Sequence, residues 1–172
     1  MIQIRFALGL FASLVSAFAF TAGAQAETLG EFGAWATVKG SEDGKPLCYL
    51  SAEPQKSEGN YTQRGQVYAI VTHRPAEKSI AVVSFQAGYT LKSDAPVTVT
   101  IDGKTTFALF GQDEFAWTRE AADDKALVAA MRKGSTLVVK GTSARGTLTT
   151  DTYSLSGFTA AINAINTACG VK

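Results

Sequence analysis

The sequence predicts an all-β fold: an antiparallel β-sandwich, jelly-roll-like, with two short helices, one of them C-terminal. Three observations predict it. Apolar and polar residues alternate with period two along most of the chain, which is the pattern of a half-buried strand. The alternating runs are short and are bounded by Gly, Pro, Asn or Asp, the residues of turns. Only two segments switch to the three-and-four spacing of an amphipathic helix.

The chain of 172 residues opens "MIQIRFALGLFASLVSAFAFTAGAQAETLG". Arg5 precedes an apolar run from Phe6 to Phe20, and small residues lead to Ala24-Gln25-Ala26. A charged start, an apolar centre and an Ala-x-Ala site read as a secretory signal peptide over residues 1–26. An uncleaved anchor is the rival reading, because the run is nearly long enough to span a bilayer. The cleavage site sits where processing needs it, which favours the signal peptide. No second long apolar segment follows, so no membrane insertion is expected after cleavage. Residues 27–172 then form one domain, expected in the periplasm, at the outer membrane or secreted. They are enough to bury a core without a structural metal.

Within that domain the strands come first. "PVTVTID" sets Val97, Val99 and Ile101 on one face and Thr98, Thr100 and Asp102 on the other. "TTFALF" follows Asp102-Gly103-Lys104. A two-residue turn would put Phe107 and Leu109 on the face opposite Val97 and Val99. A three-residue loop keeps all four together and is the preferred register. The other strand segments are Phe32–Lys39, Leu47–Ala52, Gln66–His73, Ser79–Gln86, Thr136–Gly141 and Thr147–Ser154, all rich in Val, Ile, Thr and aromatics. "EPQKSEGNY", Glu53–Tyr61, reads as a polar loop with no core residue before Tyr61.

The first helix is expected over Ala121–Lys133. Asp123 and Asp124 lie early in it, Arg132 and Lys133 in its last turn, and Gly134 just beyond, placed for a left-handed C-terminal cap. Leu127, Val128 and Met131 form its apolar stripe. In the second helix Ser156 is the expected N-cap of "GFTAAINAINTAC". Phe158, Ala161, Ile162, Ile165 and Cys169 recur at steps of three or four, so Cys169 shares the face that docks on the core.

Cys48 and Cys169 are the two cysteines of the chain. Export places them in an oxidising compartment, where such a pair is expected to form a disulfide. A buried thiol pair or a metal site are the alternatives. A metal site has poor support, because His73 is the single histidine and the spacing fits no zinc pattern. No cofactor is expected.

The densest polar stretch runs from Ser143 to Ser156, and it contains no nucleophile elbow, S-x-x-K, H-E-x-x-H or phosphate loop. Its threonines suit a half-exposed strand. A Cys48–His73 nucleophilic pair would need a free thiol, and His73, just before Arg74-Pro75, reads as a surface strand end. Trp35 reads as core. Three residues stand out as partner-binding candidates. Arg145 lies at a hairpin turn between Ala144 and Gly146, where the plainer reading is a solvated residue or an ion pair with Asp151. Trp117 and Arg119 lie in "GQDEFAWTRE", where an aromatic stands beside charges as at interfaces. Sixteen basic and fifteen acidic residues give a nearly neutral chain, so nucleic acid is not an expected partner.

The exported chain carries "FGAWATV", "PLCYLSAE", "LVAAMRKGSTLVVKGTSARGT" and "TYSLSGFTAAINAINTAC" in that order. This pattern resembles the invasion-associated locus B family of α-proteobacteria over nearly the whole mature chain. The resemblance implies a periplasmic or envelope-associated β-rich protein, with no defined enzyme activity and, in pathogenic relatives, a link to host-cell invasion. The expected function is therefore a non-enzymatic envelope protein that binds a protein partner. A hydrolase with an unrecognised site and a structural or stress-related envelope factor are the alternatives.

Overall fold

A computed structural model of the protein describes residues 26–172. The expected signal peptide lies, but for its last residue, outside the described residues. The domain has eleven strands: β1 (Glu27–Phe32), β2 (Trp35–Glu42), β3 (Lys45–Ala52), β4 (Lys56–Gly59), β5 (Tyr68–Arg74), β6 (Ser79–Gln86), β7 (Val97–Ile101), β8 (Thr105–Gln112), β9 (Phe115–Trp117), β10 (Thr136–Thr142) and β11 (Leu148–Ser154). Helix α1 (Ala121–Lys133) separates β9 from β10, and α2 (Phe158–Cys169) closes the chain. The fold is all-β with two helices, one of them C-terminal.

Every strand pairing is antiparallel, in the order β1-β2-β3-β5-β6-β9-β8-β7-β10-β11-β4. The strand β8 turns the corner. Residues 105–109 pair with β7 and residues 110–112 pair with β9, so one strand belongs to both halves. The inner faces of the halves meet, with the Phe85 ring of β6 lying 6.3 Å from Tyr153 of β11. In the β7–β8 hairpin Val97 faces Leu109 and Val99 faces Phe107 across a three-residue loop, the register that buries one face.

Phe32–Lys39 is not one strand. Phe32 ends β1 and pairs with Trp35, which starts β2. Gly33 makes that turn at φ 60°, and a Cβ on it would lie 2.5 Å from the Ser156 carbonyl oxygen. Gly157 stands against the Phe32 carbonyl at φ 87° and is itself the N-cap of α2. Ser156 therefore does not cap the helix. Its N–H donates to Ser154 Oγ, and its side chain is exposed. Gly134 also differs from expectation. Its φ is −88°, which is extended rather than left-handed. A glycine stands there because a side chain would run into Ile101 Cγ2.

The helix α2 lies on β2 and β3 and buries Phe158, Ala161, Ile162 and Ile165. Each large apolar side chain so buried contributes about 1.5–3 kcal/mol. Trp35 meets the Phe158 ring edge-on at 5.0 Å and donates its indole N–H to the Ser154 carbonyl at 3.0 Å. Cys169 is bridged to Cys48 of β3, with Cα atoms 6.0 Å apart and 121 residues of sequence separation.

His73 is the clearest correction. It is not a surface strand end but fully buried, at 0% exposure. It stands directly opposite Cys48 in the β3–β5 register and so points inward with it. Ala81 donates its backbone N–H to Nδ1 at 2.9 Å, and Nε2 lies 2.8 Å from Asn166 Oδ1 of α2. Since Nδ1 accepts, Nε2 carries the proton and donates to Asn166. Ala81 sits at φ 58° where the β5–β6 register slips. The imidazole thus supplies the acceptor that the ladder lacks at that bulge. Burial pushes the His73 pKa below the ordinary histidine value, against the opposing hydrogen bond to Asn166.

Two predictions follow from this anchor. Reducing the disulfide removes a loop constraint worth about 5 kcal/mol by the chain-entropy argument. The unfolding midpoint should drop steeply on reduction, and amides of α2 should be the first to exchange. An unchanged midpoint would mean the bridge carries no load. The second concerns pH. The unfolded chain takes up a proton on His73 near pH 6.5, but the folded chain resists it. Stability is therefore fully present above about pH 6.5 and falls as pH drops toward the lower folded value. Denaturant titrations at falling pH should show this loss, and His73→Gln should flatten that limb.

Candidate functional site

Between β3 and β5 the chain leaves one half of the sheet, crosses to the far edge of the other, and returns. The crossing contains β4, although Glu53–Tyr61 reads as a loop in sequence. Lys56–Gly59 has no apolar residue and is exposed throughout, so no alternation marks it. It is a strand because β11 offers a free edge: Lys56 pairs with Thr152, Ser57 with Asp151, Glu58 with Thr150 and Gly59 with Thr149. Gln55 N–H adds a bond of 2.8 Å to the Thr152 carbonyl.

This strap is fastened by one buried ion pair. Arg64 reaches under it and forks onto Asp151 of β11, NH1 to Oδ1 and NH2 to Oδ2, both at 2.7 Å. Each side chain is only 5% exposed. The third guanidinium nitrogen, Nε, donates to the Ala87 carbonyl at 2.7 Å, and Ser57 Oγ donates to Asp151 Oδ1 at 2.7 Å. Tyr61 and Tyr89 flank the guanidinium, with ring centroids 5.4 and 5.1 Å from Cζ. That is within cation–π range. Burial works against the Arg64 charge, but the hydrogen bonds and attraction of Asp151 outweigh it and hold the pKa above the ordinary arginine value. Burial likewise raises the Tyr89 pKa, with the bond to Thr149 opposing. The Tyr89 hydroxyl lies 2.6 Å from Thr149 Oγ1. Among the described residues no buried side-chain nitrogen or oxygen lacks a partner.

Above this floor lies an open groove of about 1010 Å³. The strap forms one wall with Asn60, Tyr61 and Gln63. Thr90 and Glu114 line another part, and the turn between β10 and β11 supplies Arg145 and Thr147. That turn is fixed by Gly146 N–H to the Ser143 carbonyl and by Ala144 N–H to the Thr90 carbonyl, both 2.8 Å.

The three partner-binding candidates do not fall on one spot. Arg145 is exposed on the groove rim and takes part in none of the ion pairs among the described residues. Asp151, its expected ion-pair partner, gives both oxygens to Arg64 instead. Trp117 is half-buried on β9, 5.7 Å from the Phe115 ring. Arg119 is exposed and lies over the Phe110 ring at 5.3 Å, beside a separate depression of about 230 Å³ that also takes in Asp94. The sequence reading missed Tyr61, Arg64 and Tyr89. The available signal was that a charged residue, Asp151, falls at an inward position of an alternating strand and so requires a buried cation.

Both cysteines are bridged, and His73 lies beneath α2 rather than at the groove. Among the described residues no group of three or more His, Cys, Asp or Glu is placed to hold a metal ion. Nor is any helix among them long and apolar enough to cross a membrane.

A family model described as "Invasion associated locus B (IalB) protein" matches residues 35–166. The crystal structure of invasion associated protein b from Bartonella henselae has a similar fold, with a TM-score of 0.58 and 22% sequence identity. That match covers 83% of this chain and 96% of that one. No curated protein matches the sequence.

Proposed function

Because the chain belongs to the invasion associated locus B family, we propose that it is a non-enzymatic protein of the cell envelope, exported to the periplasm, that works by binding a protein partner and contributes to host-cell interaction. The observation that carries this reading is the aromatic and basic surface at β9 and the residues beside it. Trp117 stands beside Phe115, and Arg119 lies over Phe110. Tryptophan and arginine are the residues most often found at the energetic centres of protein interfaces. Trp117 ends the strand β9, and Arg119 is exposed in the bend that follows it. Arg145 offers an exposed cation at a separate place, on the groove rim.

The host-facing role rests on the family's association with invasion. An exported chain with a disulfide across most of its length suits an oxidising compartment. Nothing in the groove pairs a nucleophile with a base, which favours binding over turnover.

The test is partner capture. Trp117→Ala combined with Arg119→Ala, and separately Arg145→Ala, should each lower recovery of a cross-linked protein partner about tenfold, equivalent to ~1.4 kcal/mol. The thermal midpoint should stay near that of the wild type. Undiminished capture by both variants would refute the assigned surface, and a large drop in midpoint would return these residues to structural roles.

A further inference from the structure

The lining of the groove selects one kind of ligand. Its volume, about 1010 Å³, is that of a generous small-molecule site. No Leu, Ile, Val, Met, Phe or Trp lines it. It therefore offers neither an apolar wall for a lipid nor sockets for peptide side chains, which strand-adding and groove-docking peptides use for specificity. Its charges also cancel. Asp151 neutralises Arg64 with both oxygens, and the exposed lining holds one cation, Arg145, and one anion, Glu114.

What remains is a set of groups that both donate and accept: the amides of Asn60 and Gln63 and the hydroxyls of Thr90 and Thr147. Beside them is an aromatic ring, Tyr61, which is 36% exposed. The ring is held in place on two counts. The Arg64 guanidinium lies 5.4 Å from its centroid. Gly59 makes room for it, since a Cβ there would stand 2.9 Å from Tyr61 Cδ1. Arg64 is itself locked by three bonds of 2.7 Å. The platform is thus ordered before any ligand arrives, which removes a cost of binding.

A neutral sugar chain has the complementary chemistry. Its hydroxyls are uncharged and both donate and accept. The C–H face of a pyranose ring is apolar and flat, and it has the size of a tyrosine ring. We propose that the groove binds a neutral oligosaccharide, with Tyr61 as the platform under one sugar ring and Asn60, Gln63, Thr90 and Thr147 as partners of its hydroxyls. The site stands apart from the protein-docking surface at Trp117 and Arg119, and either can fail without the other.

The test is an amide-resolved NMR titration of the exported protein with three probes: maltotetraose, N,N′,N″,N‴-tetraacetylchitotetraose and mannotetraose. An anionic heparin tetrasaccharide and tetraalanine serve as the contrasting arms. At least one neutral probe should move signals of residues 60–65, 88–90 and 143–147 while those of α2 stay put, with a Kd of about 1 mM or tighter. Tyr61→Ala should weaken it at least tenfold. Gln63→Ala, at an exposed position that leaves the fold intact, should weaken it severalfold. Trp117→Ala with Arg119→Ala should leave the titration unchanged, and Tyr61→Ala should leave protein capture unchanged. The proposal is overturned if no neutral probe moves these signals at about 10 mM. It is equally overturned if only the heparin fragment or the peptide binds, or if Tyr61→Ala and Gln63→Ala both bind as the wild type does.

Discussion

Asp151 points into the protein from the middle of a strand, and much of the molecule is arranged around that fact. A lone carboxylate at 5% exposure would be very costly. Arg64 makes it tolerable by offering two parallel N–H donors in the fork geometry that matches a carboxylate. To bring the guanidinium there, the chain between β3 and β5 must cross the domain and lie against β11. The crossing creates β4, covers what would otherwise be the free edge of β11, and raises the wall of the groove. Replacing such a pair by apolar residues is often neutral or stabilising, whereas removing one partner costs about 3–5 kcal/mol. The gain from keeping the pair here is the placement of the strap, and with it of Tyr61.

The opposite end of the domain is held by different means. The helix α2 is fixed to β3 by a disulfide and to β5 by the His73–Asn166 bond, on side chains that stand opposite each other in the ladder. Both holds respond to the surroundings, one to reductant and the other to acid. The groove rests instead on the Arg64–Asp151 pair, which contains no group that reductant attacks.

What could be read in the sequence followed from period and sign. Val97 to Leu109 declared its register because one face had to be buried. The bounds of α1 were visible in the acids at its start and the bases at its end. Cys169 announced its face by falling in step with Phe158, Ile162 and Ile165. Other features were hidden for physical reasons. His73 continues the buried series Ala69, Val71, but a polar residue at the end of an apolar run reads as the place where the run meets water. The strand β4 has no inward face, so periodicity had nothing to show. Arg64 lies 87 residues from Asp151, whereas Arg145 lies nearby in sequence and looked the natural partner. Ser156 had the chemistry of a cap, but the close approach of Phe32 and Gly33 required a glycine at the next position, and that glycine took the role.

The central claim is that the Arg64–Asp151 pair holds the strap and so builds the groove. The most direct test is amide hydrogen exchange on Arg64→Met, which keeps the bulk of the side chain and removes its charge. Protection should fall sharply over residues 55–65 and 88–90 and persist in β2, β3, β5 and α2. Unchanged protection in the strap, with the loss spread evenly over the domain, would contradict the account.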